Sequence, residues 1–194
     1  MEKNMNIDEV QSKIETNLPG VRLKKVRESL LVENPEDLPK VARYLKESPD
    51  FKLDYLSSVT GADYLTYLES VYHLYSMERK IGPVVLRVRA QDRQNPRIPS
   101  LVSIYRSAEF QEREAYDMYG IVYENHPDLR RIFMWEGFEG FPMRKDYVQE
   151  DSEVLEDEDL AWLEQRGIQV SSELKQKAQE FKLHGPKRTA QAEE

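Results

Sequence analysis

"FKLDYLSSVTGADYLTYLESVYHLYSMERKIGPVVLRV", Phe51 to Val88, is the stretch on which the fold turns. Phe51, Leu53, Tyr55 and Val59 alternate with Lys52, Asp54 and Ser58, the period of two that sends successive strand side chains to opposite faces. Gly61-Ala62-Asp63 reads as a turn. Tyr64 to Met77 is a second run rich in Tyr, Leu and Val. After a polar turn through Lys80 to Pro83, Val84, Leu86 and Val88 alternate with Val85, Arg87 and Arg89. Strands that follow one another with no helix between them pair as antiparallel neighbours, because parallel neighbours need a long crossover.

Working outward, helical spacing appears before this block. Ile7, Val10, Ile14 and Leu18 recur as on one helix face, and Pro19-Gly20 ends the pattern. Val21 to Glu33 reads as one or two short strands. Leu38, Val41, Ala42 and Leu45 make an apolar stripe capped by Asn34 or Asp37, and Pro39 favours the later start because proline fits only the first turn. The pattern predicts an α+β fold: two layers, a mostly antiparallel or mixed sheet covered by helices, and an extended C-terminal tail. Asp92 to Ser100, with two prolines, reads as a loop.

After Tyr147 the composition shifts. Glu150, Asp151, Glu153, Glu156, Asp157, Glu158 and Asp159 carry seven of the 36 acids in this 194-residue chain. Amphipathic patterns follow over Leu160 to Arg166 and Ser171 to Leu183. The expected organisation is an α+β domain over residues 1–148, then an acidic linker and amphipathic tail over residues 149–194.

Without that acidic run the net charge of −8 falls to −1, so the body lacks the basic excess that replaces phosphate counter-ions, and a nucleic-acid partner is not expected. The absence of cysteine removes disulfides, thiolate catalysis and the usual ligands of iron–sulfur clusters. No apolar run approaches the roughly 20 residues that cross a bilayer, and the start MEKNMNIDEV lacks a signal-peptide pattern, so membrane contact is expected only through partners. His73, His126 and His184 show no metal-ligand spacing, and neither a phosphate-cradling glycine loop nor a G-x-S-x-G elbow is present.

Chemistry-bearing groups concentrate in "EREAYDMYGIVYENHPDLRRIFM", Glu112 to Met134, where charges and tyrosines alternate. Ser107 to Tyr119 reads as a helix with Gly120 just past its end. Arg113 and Asp117, four apart, are placed to pair; Glu112, Tyr116 and Tyr119 share another side, and Phe110, Glu114 and Met118 a third. Every side mixes apolar and polar groups, so the helix is expected to be covered on more than one side. His126-Pro127 sets an extended turn, Arg130-Arg131 projects two guanidinium groups, and Arg144-Lys145-Asp146 adds a second cationic step. Arginine suits specific carboxylate pairing because its planar fork makes two hydrogen bonds at once.

Glu112-Arg113-Glu114, two residues, Asp117, two apolar or aromatic residues, six residues, His126, three residues, Arg130, one residue and Ile132 resembles the signature of the 30-kDa-subunit family of respiratory complex I, the C-type subunits of NADH–quinone oxidoreductase. Gly140-Phe141-Pro142-Met143-Arg144-Lys145-Asp146-Tyr147 is similar to that family's continuation. Phe133 departs from it, an aliphatic residue being commoner there. The resemblance implies a structural subunit of the peripheral arm at the cytoplasmic face of the membrane. It would hold no cofactor of its own, with flavin and iron–sulfur clusters in partner subunits. Its partners would be complex I subunits D, B and I: it would pack against the first, which helps form the quinone site, and lie near the other two, which bear clusters. Glu112, Arg113, Glu114, Tyr116, Asp117, His126, Arg130, Arg131, Arg144, Lys145 and Asp146 would form the signature and partner interface.

Membrane-bound hydrogenases and complexes fed by ferredoxin or reduced deazaflavin carry similar subunits, so the resemblance leaves the electron donor open. A free-standing acid–base enzyme would instead need Glu112, Glu114, His126 and Arg130 to converge on a closed pocket. An adaptor of an unrelated assembly is a third reading.

Overall fold

The computed structural model describes residues 5–135 and 137–147. The acidic run and the two amphipathic pieces expected beyond Tyr147 lie outside the described residues.

Helix α1 (Ile7–Asn17) starts where the Asn6 side chain accepts the Asp8 amide, and it buries Ile7, Val10 and Ile14. Strands β1 (Leu23–Val26) and β2 (Ser29–Val32) form a hairpin through Arg27, which takes a left-handed φ of 55°. Of the two candidate caps of the next helix, only Asn34 makes a cap bond. Asn34 caps a short 3-10 turn, Pro35–Asp37, by accepting the Glu36 amide, and α2 (Leu38–Glu47) continues from it without a cap bond from Asp37. Its stripe of Leu38, Val41, Ala42 and Leu45 is buried as the spacing requires.

Strands β3 (Tyr55–Asp63), β4 (Leu68–Ser76) and β5 (Ile81–Ala90) pair antiparallel in succession. Strand β2 then adds parallel to β5, with Leu30 opposite Leu86, giving a mixed five-stranded sheet of order β1-β2-β5-β4-β3. Helices and sheet share one apolar cluster: Val10, Ile14, Leu38, Val41 and Leu45 pack with Leu30, Val59, Tyr72, Leu74, Leu86 and Val88. Leu86 has no exposed surface, so its truncation to alanine would cost about 2–5 kcal/mol. On the opposite face Val71, His73, Val85, Arg87 and Arg89 remain partly exposed, which makes the fold two-layered.

Three expectations are corrected. The strand begins at Tyr55, not Phe51, and a register shift between Leu56 and Ser58 breaks strict alternation: Leu56 and Val59 are both buried while Tyr55 is exposed. Gly61-Ala62-Asp63 is not a turn but the end of β3. A Cβ at Gly61 would run into the Tyr119 ring, so this glycine permits a close approach within a strand. The proline loop at 92–100 contains β6 (Arg97–Pro99), which pairs parallel with β7 (Val122–Glu124).

Candidate interface built on helix α3

Helix α3 (Ala108–Tyr119) ends at Gly120, whose φ of 74° is the left-handed conformation that closes a helix and favours glycine. It buries Ala108, Glu112, Arg113, Ala115 and Asp117. Coverage on several sides holds for those residues, yet the Phe110–Glu114 stripe faces solvent.

Arg113 and Asp117 do not pair with each other. Both sit on the side of α3 facing the segment after Leu129, and that segment's main chain takes both. Arg113, 4% exposed, donates from Nε to the Arg130 carbonyl at 3.1 Å and from Nη2 to the Arg131 carbonyl at 3.5 Å. Asp117, fully buried, accepts at one oxygen the amides of Ile132 (3.0 Å), Phe133 (2.7 Å) and Met134 (3.0 Å). Its other oxygen accepts Arg131 Nη1 at 3.0 Å. Unpaired loop carbonyls and amides are costly when buried, and they out-compete the solvent-screened pairing expected of neighbours on one helix. Burial alone would raise the Asp117 carboxyl; the amides of Met134, Phe133 and Ile132 and the Arg131 guanidinium together hold it below the usual range.

The remaining signature groups have separate tasks. Glu112 accepts Ser100 Oγ at 2.6 Å and the Leu101 amide at 2.8 Å. His126 Nδ1 accepts the Asp128 amide at 3.0 Å, which leaves Nε2–H to donate to the Glu109 carbonyl at 2.9 Å. Arg130, with 69% of its side chain exposed, reaches Asp128 at 3.0 Å. Arg131 also donates to the Gly140 carbonyl at 3.1 Å and lies over the rings of Phe138 and Phe141. Arg144 Nε donates to the Tyr119 carbonyl at 2.7 Å and its guanidinium stacks over Phe141. Tyr116 is half-buried against the core, whereas Glu114 and Lys145 are exposed.

Asp63, Arg93 and Ser100 are sites the sequence reading missed. Asp63 Oδ2 accepts Arg93 Nη2 at 3.0 Å and the Lys145 amide at 2.8 Å, while Arg93 reaches on to Asp146 at 2.7 Å. The Arg93 guanidinium, helped by the amides of Lys145 and Leu65 and opposed by burial, holds the Asp63 carboxyl well below the usual carboxylate range. A carboxylate at a strand end opposite an arginine 30 residues later leaves no local spacing to read. Ser100 and Glu112 likewise belong to different elements.

Glu112, Glu114, His126 and Arg130 therefore do not share a site: Glu112 is buried against Ser100 and Leu101, Glu114 is exposed, and His126 and Arg130 both bond Asp128. None lines the cleft of about 490 Å³ beside α1, whose walls include Met5, Lys13, Phe51 and Arg79. Among the described residues no cluster of three or more His, Cys, Asp or Glu side chains is arranged to hold a metal ion.

The profile of the family described as respiratory-chain NADH dehydrogenase, 30 Kd subunit, matches residues 31–153, which include the end of β2, β3 to β7 and the whole charged stretch. The chain belongs to this family. It is 47% identical over 116 residues to the second C-type subunit of the NADH-quinone oxidoreductase of Rhizobium meliloti (strain 1021), covering 58% of this chain and 62% of that one. It is 34% identical over 158 residues to the C-type subunit of the NADH-quinone oxidoreductase of Herpetosiphon aurantiacus, covering 79% of this chain and 91% of that one. The chain spans less than two thirds of the length of several such relatives, at 62%, 60% and 65%. In fold it is similar to a chain of the membrane-bound sulfane sulfur reductase, an archaeal respiratory membrane complex, with a TM-score of 0.56 at 22% identity, over 85% of this chain and 93% of that one. Among the described residues of this family member, no helix is long and apolar enough to cross a membrane.

Proposed function

We propose that the chain is a structural subunit, without a cofactor of its own, of the peripheral arm of an NADH–quinone oxidoreductase at the cytoplasmic face of the membrane. It docks homologues of complex I subunits D, B and I, which with their neighbours hold the quinone site, clusters and flavin, and it meets the membrane only through the complex. Residues 149–194 are an appendage to this docking domain.

The observation that carries the reading is the disposition of the charged stretch. Its buried ions are engaged with the chain's own backbone, and large apolar side chains on the same helix and loop point outward: Phe110 and Phe133 are 62% exposed, Trp135 68% and Met143 55%. Exposed aromatic and methionine side chains bordered by arginine are the composition of contact surfaces. Arg130, Lys145 and Glu114 are signature groups exposed where a neighbour can meet them; Arg113, Asp117 and Glu112 support the surface from beneath.

Co-expression with the D-type partner and capture of the complex tests this. Trp135→Ala with Phe133→Ala is expected to weaken capture at least tenfold while leaving the thermal midpoint of the isolated chain unchanged. Equal capture by parent and variant, or dehydrogenase turnover by the isolated parent chain, overturns the assignment.

A further inference from the structure

The two carboxylates that α3 buries have different surroundings. Asp117 meets a guanidinium and three amides. Glu112, with no exposed surface, meets one hydroxyl and one amide, Ser100 Oγ and Leu101 N, and forms no ion pair among the described residues.

Hydroxyls, not cations, are its neighbours: Ser100 after β6 bonds it, and the phenols of Tyr72 in β4 and Tyr123 in β7 lie near enough to feel its charge. Ser70 and Tyr123 bond each other at 2.7 Å, and the Tyr72 hydroxyl is buried without a hydrogen-bond partner. Burial, reinforced by the charge of Glu112, pushes both phenols well above their ordinary range, so they stay neutral. Cations on the neighbouring elements are engaged elsewhere: Arg113 with the loop carbonyls, Arg97 of β6 with Glu124 of β7, Lys46 of α2 with the Ile104 carbonyl. A carboxylate enclosed this way is a buried charge without a counter-ion; a neutral acid fits the same space without that penalty.

We propose that Glu112 is a proton-binding link between α3 and the turn after β6: because it is wholly buried with no counter-ion among the described residues, the fold is more stable with this carboxyl group neutral than with it charged. Burial pushes this carboxyl up to about 7, against the lowering influence of the Ser100 and Leu101 bonds. The folded chain thus keeps a proton that the unfolded chain releases near 4.5. The stabilisation is fully present below that lower value, is lost as pH rises to about 7, and changes no further above it.

The test uses the full chain carrying carbon-13 at its glutamate carboxyl groups. The Glu112 resonance, assigned through its backbone, is expected to titrate near neutrality. In urea unfolding, the folding constant of the parent should fall roughly fortyfold in all between pH 5 and 7 relative to Glu112→Gln. The amide variant keeps an acceptor for Leu101 and cannot charge. His73, whose imidazole burial pushes down, titrates alike in both chains and cancels in the comparison. A Glu112 resonance that moves in the ordinary carboxylate range, or identical pH slopes in parent and variant, overturns the proposal. If the variant does not fold, the resonance in the parent decides alone.

Discussion

Asp117 and Arg130 lie in one charged stretch and differ sharply in consequence. Asp117 joins three loop amides and a guanidinium out of solvent, so Asp117→Ala should cost about 3–5 kcal/mol in chemical denaturation, mostly from donors left buried and unpaired. Arg130 carries a side chain 69% exposed and pairs with an exposed Asp128, so Arg130→Ala should cost below about 1 kcal/mol. Comparable losses for the two would contradict the assignment of Asp117 as the loop's anchor. At this scale the sequence located the charged stretch and misjudged how its residues connect. Spacing of four on a helix suggested an Arg113–Asp117 pair, but spacing carries no information about a loop 15 residues onward whose main chain needs partners. Asp63 was hidden for the same reason, its partners arriving from Arg93 and Lys145.

Helices were legible because their ends are written locally. Pro19-Gly20 after Leu18 and Gly120 after Tyr119 mark where the patterns stop, signals that need no tertiary information. Replacing Gly120 with alanine places a Cβ against the Phe141 ring and the Arg144 guanidinium and strains a φ of 74°. A loss of about 1–3 kcal/mol is expected, read as a lowered urea midpoint with unchanged slope; an unaltered midpoint would show that the helix end relaxes freely. Gly61 misled because glycine looks identical in sequence whether it turns a chain or admits a ring, here that of Tyr119. The pairing of β6 with β7 was invisible because three-residue strands have too few positions to show a period. The bulge near Ser57 shifted the phase of β3, which no alternation pattern anticipates.

At the scale of the molecule, the segment ending at Tyr147 is fastened to the body through Asp63, Arg93 and Asp146, and that fastening depends on acid. Asp63 titrates below its ordinary value of 3.8 when folded, so its contribution is fully present above that value and disappears as pH falls through it towards the lower folded value. Thermal melts of the parent and Asp63→Asn between about pH 5 and 2.5 should therefore converge as acidity increases. A gap that stays constant would separate the fastening from Asp63 ionisation. The α+β class was visible in the sequence because consecutive period-two runs and flanking helical stripes fix it; the parallel addition of β2 to β5 is a long-range choice that they leave open.

Arg113 and Asp117 clasp carbonyls and amides, never the side chains of residues 132–134. A grip on main-chain atoms is indifferent to the letters it carries, so those positions can be rewritten to suit a new neighbour without unpinning the loop. Phe133 is such a position: Asp117 takes its amide, and its ring is left 62% exposed.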